Sequence, residues 1–419
     1  MHRFILPVLS ALVMGASAWA QDVPTLGADL PGLLQWARTH NPELLSMHAE
    51  AQAAGARAAG AGALPDPRLR VELMDLAKGG DQGPTLLPWK VGSTRYTLMQ
   101  EFPAAGKRAL RGAIAEQESQ AQVQRARASW QELRARLRTV QAQRWFALAS
   151  QTQLDGTLAL LERMEQLALQ RYAQGLAPQA EVLRAQTERS TMQRERLMRV
   201  AELRQGDQRL NALLGRDVQA PLLAAQPLAK VVAWTQADLA QLQQRALAVS
   251  AQVAGAVTRV HAAELSRDLA RKNRSPDFTV GLSPTQMQNS VREWAVMVEF
   301  NLPWRDVRQS EEREALAMLE AARQRQESEE QQLRITIANA VTMLERARDT
   351  AALNERTLLP QVQWALQAAL NGYEQGKVEL TMVLELQRQL RQTQQDVLQA
   401  QLDAQLAQAE LDAWLGDES

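Results

Sequence analysis

Side-chain chemistry needs suitable groups at a spacing that can bring them together, and this chain holds few such sets. Cysteine is absent, which excludes disulfides, thiolate metal sites and a cysteine-borne lipid anchor. Three of the histidines, His40, His48 and His261, are scattered through the body of the chain. His40 and His48 stand eight positions apart, not at the i, i+4 spacing of a helical metal pair. They read as surface or packing residues, with no metal or other cofactor implied. The 47 acidic residues read as the solvated face of amphipathic helices, and the sequence holds no nucleophile elbow, phosphate loop or metal triplet, so no enzyme is expected. What recurs is charge at alternate positions. Arg68, Arg70 and Glu72 interleave with Leu69, Val71 and Leu73; Arg95 and Glu101 interleave with Tyr96, Leu98 and Phe102. Glu293 and Glu299 bracket a run in which Trp294, Val296, Val298 and Phe300 share one face. Such a pattern lines water with one side and rests on apolar material with the other.

Period-two alternation calls for strands, over 68–76, 94–102, 278–282 and 294–300. Connectors 77–92 and 284–290, rich in Gly, Pro and Gln, pair them as hairpins spanning 68–102 and 277–302. The hairpins belong to a duplicated chain. Tyr172, Gln174, Gly175, Val182, Leu183 and Gln186 recur 201 positions later as Tyr373, Gln375, Gly376, Val383, Leu384 and Gln387. Ala212, Leu214 and Gly215 recur as Ala413, Leu415 and Gly416 at that offset. A glycine between two long polar helical segments marks a helical-hairpin turn, because it tolerates the left-handed conformation at a helix end. The tips fall at 172–178 and 373–379. The repeats occupy 21–214 and 237–419, joined by an irregular connector over 215–236 that carries Pro221 and Pro227.

Each repeat opens on a helix, with Asp29 capping and Pro31 in the first turn of one that breaks near Asn41-Pro42 and runs to about Ala61. Its counterpart runs from Leu239 to about Lys272. After each strand hairpin, the chain from Ala104 to Ala173 and from Trp304 to Gly372 is interrupted by proline only at Pro360. About 70 residues of helix make a rod on the order of 100 Å. Trp130, Leu133, Leu137 and Val140, and Ile337, Val341 and Leu344, show coiled-coil spacing. Return helices occupy about 179–213 and 379–415. The mix of 4% aromatic and 22% charged residues suits long helices. Zero formal net charge gives no support for a nucleic-acid partner. At the N-terminus, Arg3, the apolar run Phe4 to Met14 and Ala18-Trp19-Ala20 read as a signal peptide over 1–20. No later segment approaches the roughly 18 continuous apolar residues of a membrane helix.

The first two strands, nine residues each, are near the roughly 9–11 that span a bilayer. Four strands with open edges cannot rest in lipid, whose core satisfies no backbone group. Bacterial barrels hold at least about eight strands, so several chains must pool theirs, and three copies give twelve. Arg68, Arg70, Glu72, Arg95, Glu101, Glu293 and Glu299 would then face the lumen. The competing reading is a soluble sandwich or a strand pair packed on the helices. Leader, duplication and rods together favour the barrel. The expected fold is mainly α with a small β part: duplicated long helical hairpins forming an α-barrel, plus four transmembrane strands per chain.

The order helix, strand hairpin, long helix, glycine tip and return helix, given twice, resembles the TolC-type outer-membrane efflux proteins. The tips Gln174-Gly175-Leu176 and Gln375-Gly376-Lys377 carry most of the likeness. His40-Asn41-Pro42-Glu43-Leu44, Gly62-Ala63-Leu64-Pro65-Asp66-Pro67, Gln100-Glu101-Phe102 and Gly106-Lys107-Arg108 look like the CzcC branch, which serves heavy-metal efflux. The resemblance implies a homotrimer with a twelve-stranded barrel among outer-membrane lipid and a helical tunnel across the periplasm. It also implies that the tips dock a periplasmic membrane-fusion adaptor joined to an inner-membrane RND pump. The closed tunnel end would be held by Tyr373 with Glu181, and Glu385 would belong to an acidic ring at the constriction. Val378 stands where the family often has a basic residue, and Met382 replaces a second acidic position. Tyr373→Phe or Glu181→Ala is expected to loosen that gate. Two other readings remain: a duct for drugs or secreted polypeptides, and a periplasmic coiled-coil adaptor with no pore.

Overall fold

The computed structural model describes residues 26–76, 86–88, 91–287 and 290–416. The expected leader, 1–20, and most of the connector 77–92 lie outside the described residues. Helix α1 (Leu30–His40) is capped by Asp29, whose carboxylate accepts from Gly32 N at 3.0 Å, with Pro31 in the first turn. The chain breaks at Asn41 and restarts as α2 (Pro42–Ala61), with Asn41 Oδ1 accepting from Leu44 N at 2.8 Å. In the second repeat the single helix expected over 239–272 is two, α5 (Leu239–Val249) and α6 (Ala251–Lys272). No proline marks that break. Ser250 takes Asn41's conformation instead and caps α6 through its hydroxyl, 3.3 Å from Val253 N.

Four strands, β1 (Arg68–Met74), β2 (Ser93–Phe102), β3 (Phe278–Met287) and β4 (Ser290–Phe300), form one antiparallel sheet in sequence order. Residues 284–287 and 290 thus belong to strands, not to the expected connector. Pro284 has no partner on β2, where the ladder skips from Thr285 to Leu282, and stays in register with Trp294 of β4. The two repeats are knitted where the sheet meets the rods. Asp277 accepts from Ala104 N at 2.7 Å and from Lys107 Nζ at 2.8 Å, while Asp277 N donates to Asn301 Oδ1 at 2.6 Å. Lys107 is buried there.

The first rod, α3 (Lys107–Ala173), runs 67 residues without interruption, about 100 Å. Its return helix is α4 (Gln179–Leu213). The second rod departs from the single span expected over 304–372. It comprises α7 (Arg305–Leu353), a wide π-type turn at Asn354–Leu358, and α8 (Leu359–Glu374), followed by α9 (Leu380–Leu415). Pro360 explains the interruption: it offers no N–H to Arg356 O and its ring would crowd that carbonyl, so the preceding turn widens. Among the described residues no helix is long and apolar enough to cross a membrane.

Of the positions at coiled-coil spacing Trp130 is half-buried and the others are buried. Leu133, Leu137 and Val140 of α3 pack with Leu33, Leu44, Leu210 and Leu214, while Ile337, Val341 and Leu344 of α7 pack with Leu242, Leu411 and Leu415. Each fully buried leucine contributes about 1.5–3 kcal/mol. The connector lies across α3, held by buried Arg144, which donates to Gly27 O at 3.2 Å, Leu223 O at 3.0 Å and Asp207 at 2.7 Å.

Candidate functional site

The tips are two copies of one turn. Leu176 N reaches Arg171 O at 2.8 Å and Gly175 N reaches Tyr172 O at 2.9 Å; Lys377 N reaches Gly372 O at 2.8 Å and Gly376 N reaches Tyr373 O at 3.0 Å. This pair of bonds is the Schellman motif, and it requires a left-handed residue after the helix. Gly175 and Gly376 supply it with φ of +73° and +72°. Gln174, Leu176, Gln375 and Lys377 stand exposed around them.

The tyrosines of the two copies part company. Tyr172 is 46% exposed, whereas Tyr373 is fully buried among Leu161, Met164, Val182, Leu380 and Val383. Its hydroxyl donates to Glu181 Oε2 at 3.0 Å. Burial and then that carboxylate push the phenol's pKa well above its ordinary value, so the hydroxyl keeps its proton. Arg171 stacks over the ring at 4.7 Å and donates to Tyr373 O. This contact is not legible in the sequence, because Arg171 corresponds to Gly372 in the other repeat. Val378 packs over Gly372, where an added Cβ would meet its Cγ2 at 2.6 Å. Arg171 thus brings a basic side chain to Tyr373 from the first hairpin, while Val378 follows the second tip.

Above the tyrosine a polar seam joins α4 to α9. Arg184 Nη1 meets Thr381 Oγ1 at 2.6 Å, and Arg391 Nη1 meets Glu195 Oε1 at 3.3 Å. Between them, Arg388 grips Glu188 with two bonds, 3.1 and 2.6 Å, and Glu188 is buried. The Glu188–Arg388 pair lies outside the residues the sequence singled out, since it depends on how two helices 200 residues apart are rotated. Glu385 is exposed, with Arg388 Nη1 3.9 Å away.

The sheet carries two faces. Register aligns Glu72, Arg95, Thr285 and Glu293 in one row, and Glu101, Thr279 and Glu299 in another on the same face. Arg68–Glu101, Arg70–Glu72 and Arg95–Glu72 pair at 3.8 Å each, and Thr97 meets Ser283 at 2.9 Å. Exposed pairs of this kind add little stability, so their interest is placement. On the opposite face Leu69, Leu98, Leu282 and Val296 form one row, all exposed. Phe102, Phe278 and Phe300 close that face at the rod end, with ring centroids 5.3 and 6.5 Å apart.

The profile of the outer membrane efflux proteins matches residues 33–216 and 242–417, the greater part of both repeats. The chain belongs to the outer membrane efflux protein family. Membership makes this efflux family protein a chain of the outer membrane. Over 238 residues it is 26% identical to the cobalt-zinc-cadmium resistance protein CzcC of Cupriavidus metallidurans. That match spans 57% of this chain and 56% of CzcC, little more than half of that relative's length. Among solved structures, CusC superposes with a TM-score of 0.79 at 20% identity, covering 93% of each chain. VceC of Vibrio cholerae superposes with a TM-score of 0.76 at 18% identity, covering 92% of this efflux family chain and 96% of VceC. At those identities the likeness is one of fold. Among the described residues no three His, Asp or Glu side chains are grouped to hold a metal ion.

Proposed function

We propose that this chain is the outer-membrane exit duct of a tripartite efflux system. Three copies close a twelve-stranded barrel, and their rods continue it as a periplasmic tunnel. The sheet carries this reading. One face is exposed and apolar, the other bears Arg68, Arg70, Glu72, Arg95, Glu101, Glu293 and Glu299, and within the chain β1 and β4 each pair on one side only. In lipid both edges must be closed, and pairing β4 of one copy with β1 of the next closes them all. The charged face then lines water.

The tips dock a periplasmic membrane-fusion adaptor that links the duct to an inner-membrane RND pump. Exposed Tyr172 and Leu176 at the first tip, and Lys377 at the second, offer that partner both apolar and charged contact. Tyr373, Glu181 and Arg171 hold the tunnel end shut, and Glu385 stands in its lumen. The cargo is heavy-metal cations, supported by the likeness to a cobalt-zinc-cadmium resistance protein. An open conduit need not bind what it passes, so the pump selects.

Two measurements test this. The mature protein should run as a heat-modifiable trimer from outer-membrane fractions and conduct ions in planar bilayers, with Tyr373→Phe or Glu181→Ala raising the mean conductance. A detergent-free soluble monomer would overturn the duct. A deletion strain should become sensitive to divalent metals; sensitivity to drugs alone would reassign the cargo.

A further inference from the structure

We infer that the buried Glu188–Arg388 pair is a second latch above the tips, and that Arg388 passes from Glu188 to Glu385 when the seam between α4 and α9 parts. This rests on the duct reading and extends it up the helices. Glu181, Arg184, Glu188 and Glu195 are spaced three, four and seven apart on α4. At 3.6 residues per turn they form one stripe, about 20 Å long. Their partners Tyr373, Thr381, Arg388 and Arg391 follow in the same order on the second hairpin. The stripe is a zipper between the two repeats.

Its rungs are unequal. Arg184–Thr381 is an exposed single bond, and Arg391 divides its donation between Glu195 and Gln395. The Glu188 side chain is only 8% exposed, and the two charge-assisted bonds it accepts both come from Arg388. A buried carboxylate stripped of its cation is far costlier than a broken surface pair. Parting the helices here must therefore admit water to Glu188 and give Arg388 another counter-charge. Arg388 has one. Its side chain is 53% exposed, and Glu385 lies one turn back on the same helix, 3.9 Å away. As the seam parts, Glu188 becomes hydrated and Arg388 passes to Glu385, so the arginine is paired in both states. In the open state it would also reduce the charge that Glu385 presents to the lumen.

The absence of cysteine makes a direct test practical. In reconstituted trimers carrying Tyr373→Phe, Glu188→Cys with Arg388→Cys supplies the only thiols. Bridging them with a short bis-methanethiosulfonate linker should return conductance to the closed level, and reductant should restore it. In the native background, Glu188→Gln should raise mean conductance several-fold with the trimer intact, and the exchange Glu188→Arg with Arg388→Glu should bring it back down. If Glu188→Gln does not assemble, Arg388→Lys, which keeps charge but loses the two-pronged grip, reads the same property. Unchanged conductance across the bridged seam overturns the inference, as does Glu188→Gln lowering thermal stability without altering conductance. If no variant conducts at all, the duct reading falls and takes the latch with it. Conduction through Tyr373→Phe that ignores the bridge sinks the latch alone.

Discussion

Gly215 and Gly416 occupy the same place in the two repeats, with φ of +67° and +71°, yet they are not equally replaceable. A Cβ on Gly215 would lie 2.5 Å from His40 O and 3.0 Å from Pro42 Cδ, because the end of α4 is pressed against the α1–α2 break. A Cβ on Gly416 would meet Val249 Cγ2 at 3.4 Å, an ordinary contact. Left-handed strain alone costs an alanine about 1–2 kcal/mol. Gly416→Ala should lose about that much, and Gly215→Ala clearly more, since backbone must move as well. The temperature at which the proposed trimer dissociates on unheated gels ranks them; equal losses would mean the α1–α2 break gives way freely. Both glycines were legible from the 201-residue offset. The inequality between them was not, because it depends on which chain segment abuts each one. Arg171 was hidden for the same reason: the repeat offset pairs it with a glycine, and only the fold shows it reaching Tyr373.

At the scale of elements, the sequence carried the strands, tips and rods because each has a period or a punctuating residue. Where punctuation is absent, a break is not legible. Asn41-Pro42 announced one helix break, but its counterpart at Ser250 has no proline and passed unnoticed. Pro360 was visible, though not the wide turn it forces four residues earlier. The sheet-to-rod junction depends on one long-range pair. The Lys107 and Asp277 side chains are 3% and 13% exposed, so Lys107→Met leaves a carboxylate in a poorly solvated place. Breaking such a pair costs roughly 3–5 kcal/mol. Arg68→Ala removes a pair whose arginine is 76% exposed and should cost less than about 1 kcal/mol. Trimer dissociation temperatures of the two variants should therefore differ widely, and matching shifts would show that the junction carries no special weight.

For the whole molecule, the deciding question is what covers the apolar side of the sheet. In a soluble sandwich Leu69, Leu98, Leu282 and Val296 would pack under a second layer, yet among the described residues nothing lies over them and each stands exposed. In the proposed barrel, burying them against lipid and closing the β1 and β4 edges against neighbouring copies are one event, since neither satisfies the chain without the other. The two faces should therefore respond in opposite ways to one charge. Val296→Arg places a guanidinium on the lipid side, where it costs about 2–4 kcal/mol near the bilayer midplane. Thr279→Arg places it on the other face, between Glu101 and Glu299, where water and carboxylates receive it. Val296→Arg should deplete the heat-modifiable trimer in outer-membrane fractions, whereas Thr279→Arg should leave the trimer at native levels and change the ion selectivity of the pore. A trimer lost equally in both would mean that this face meets protein, and a channel whose selectivity ignores Thr279→Arg would not be lined by this sheet.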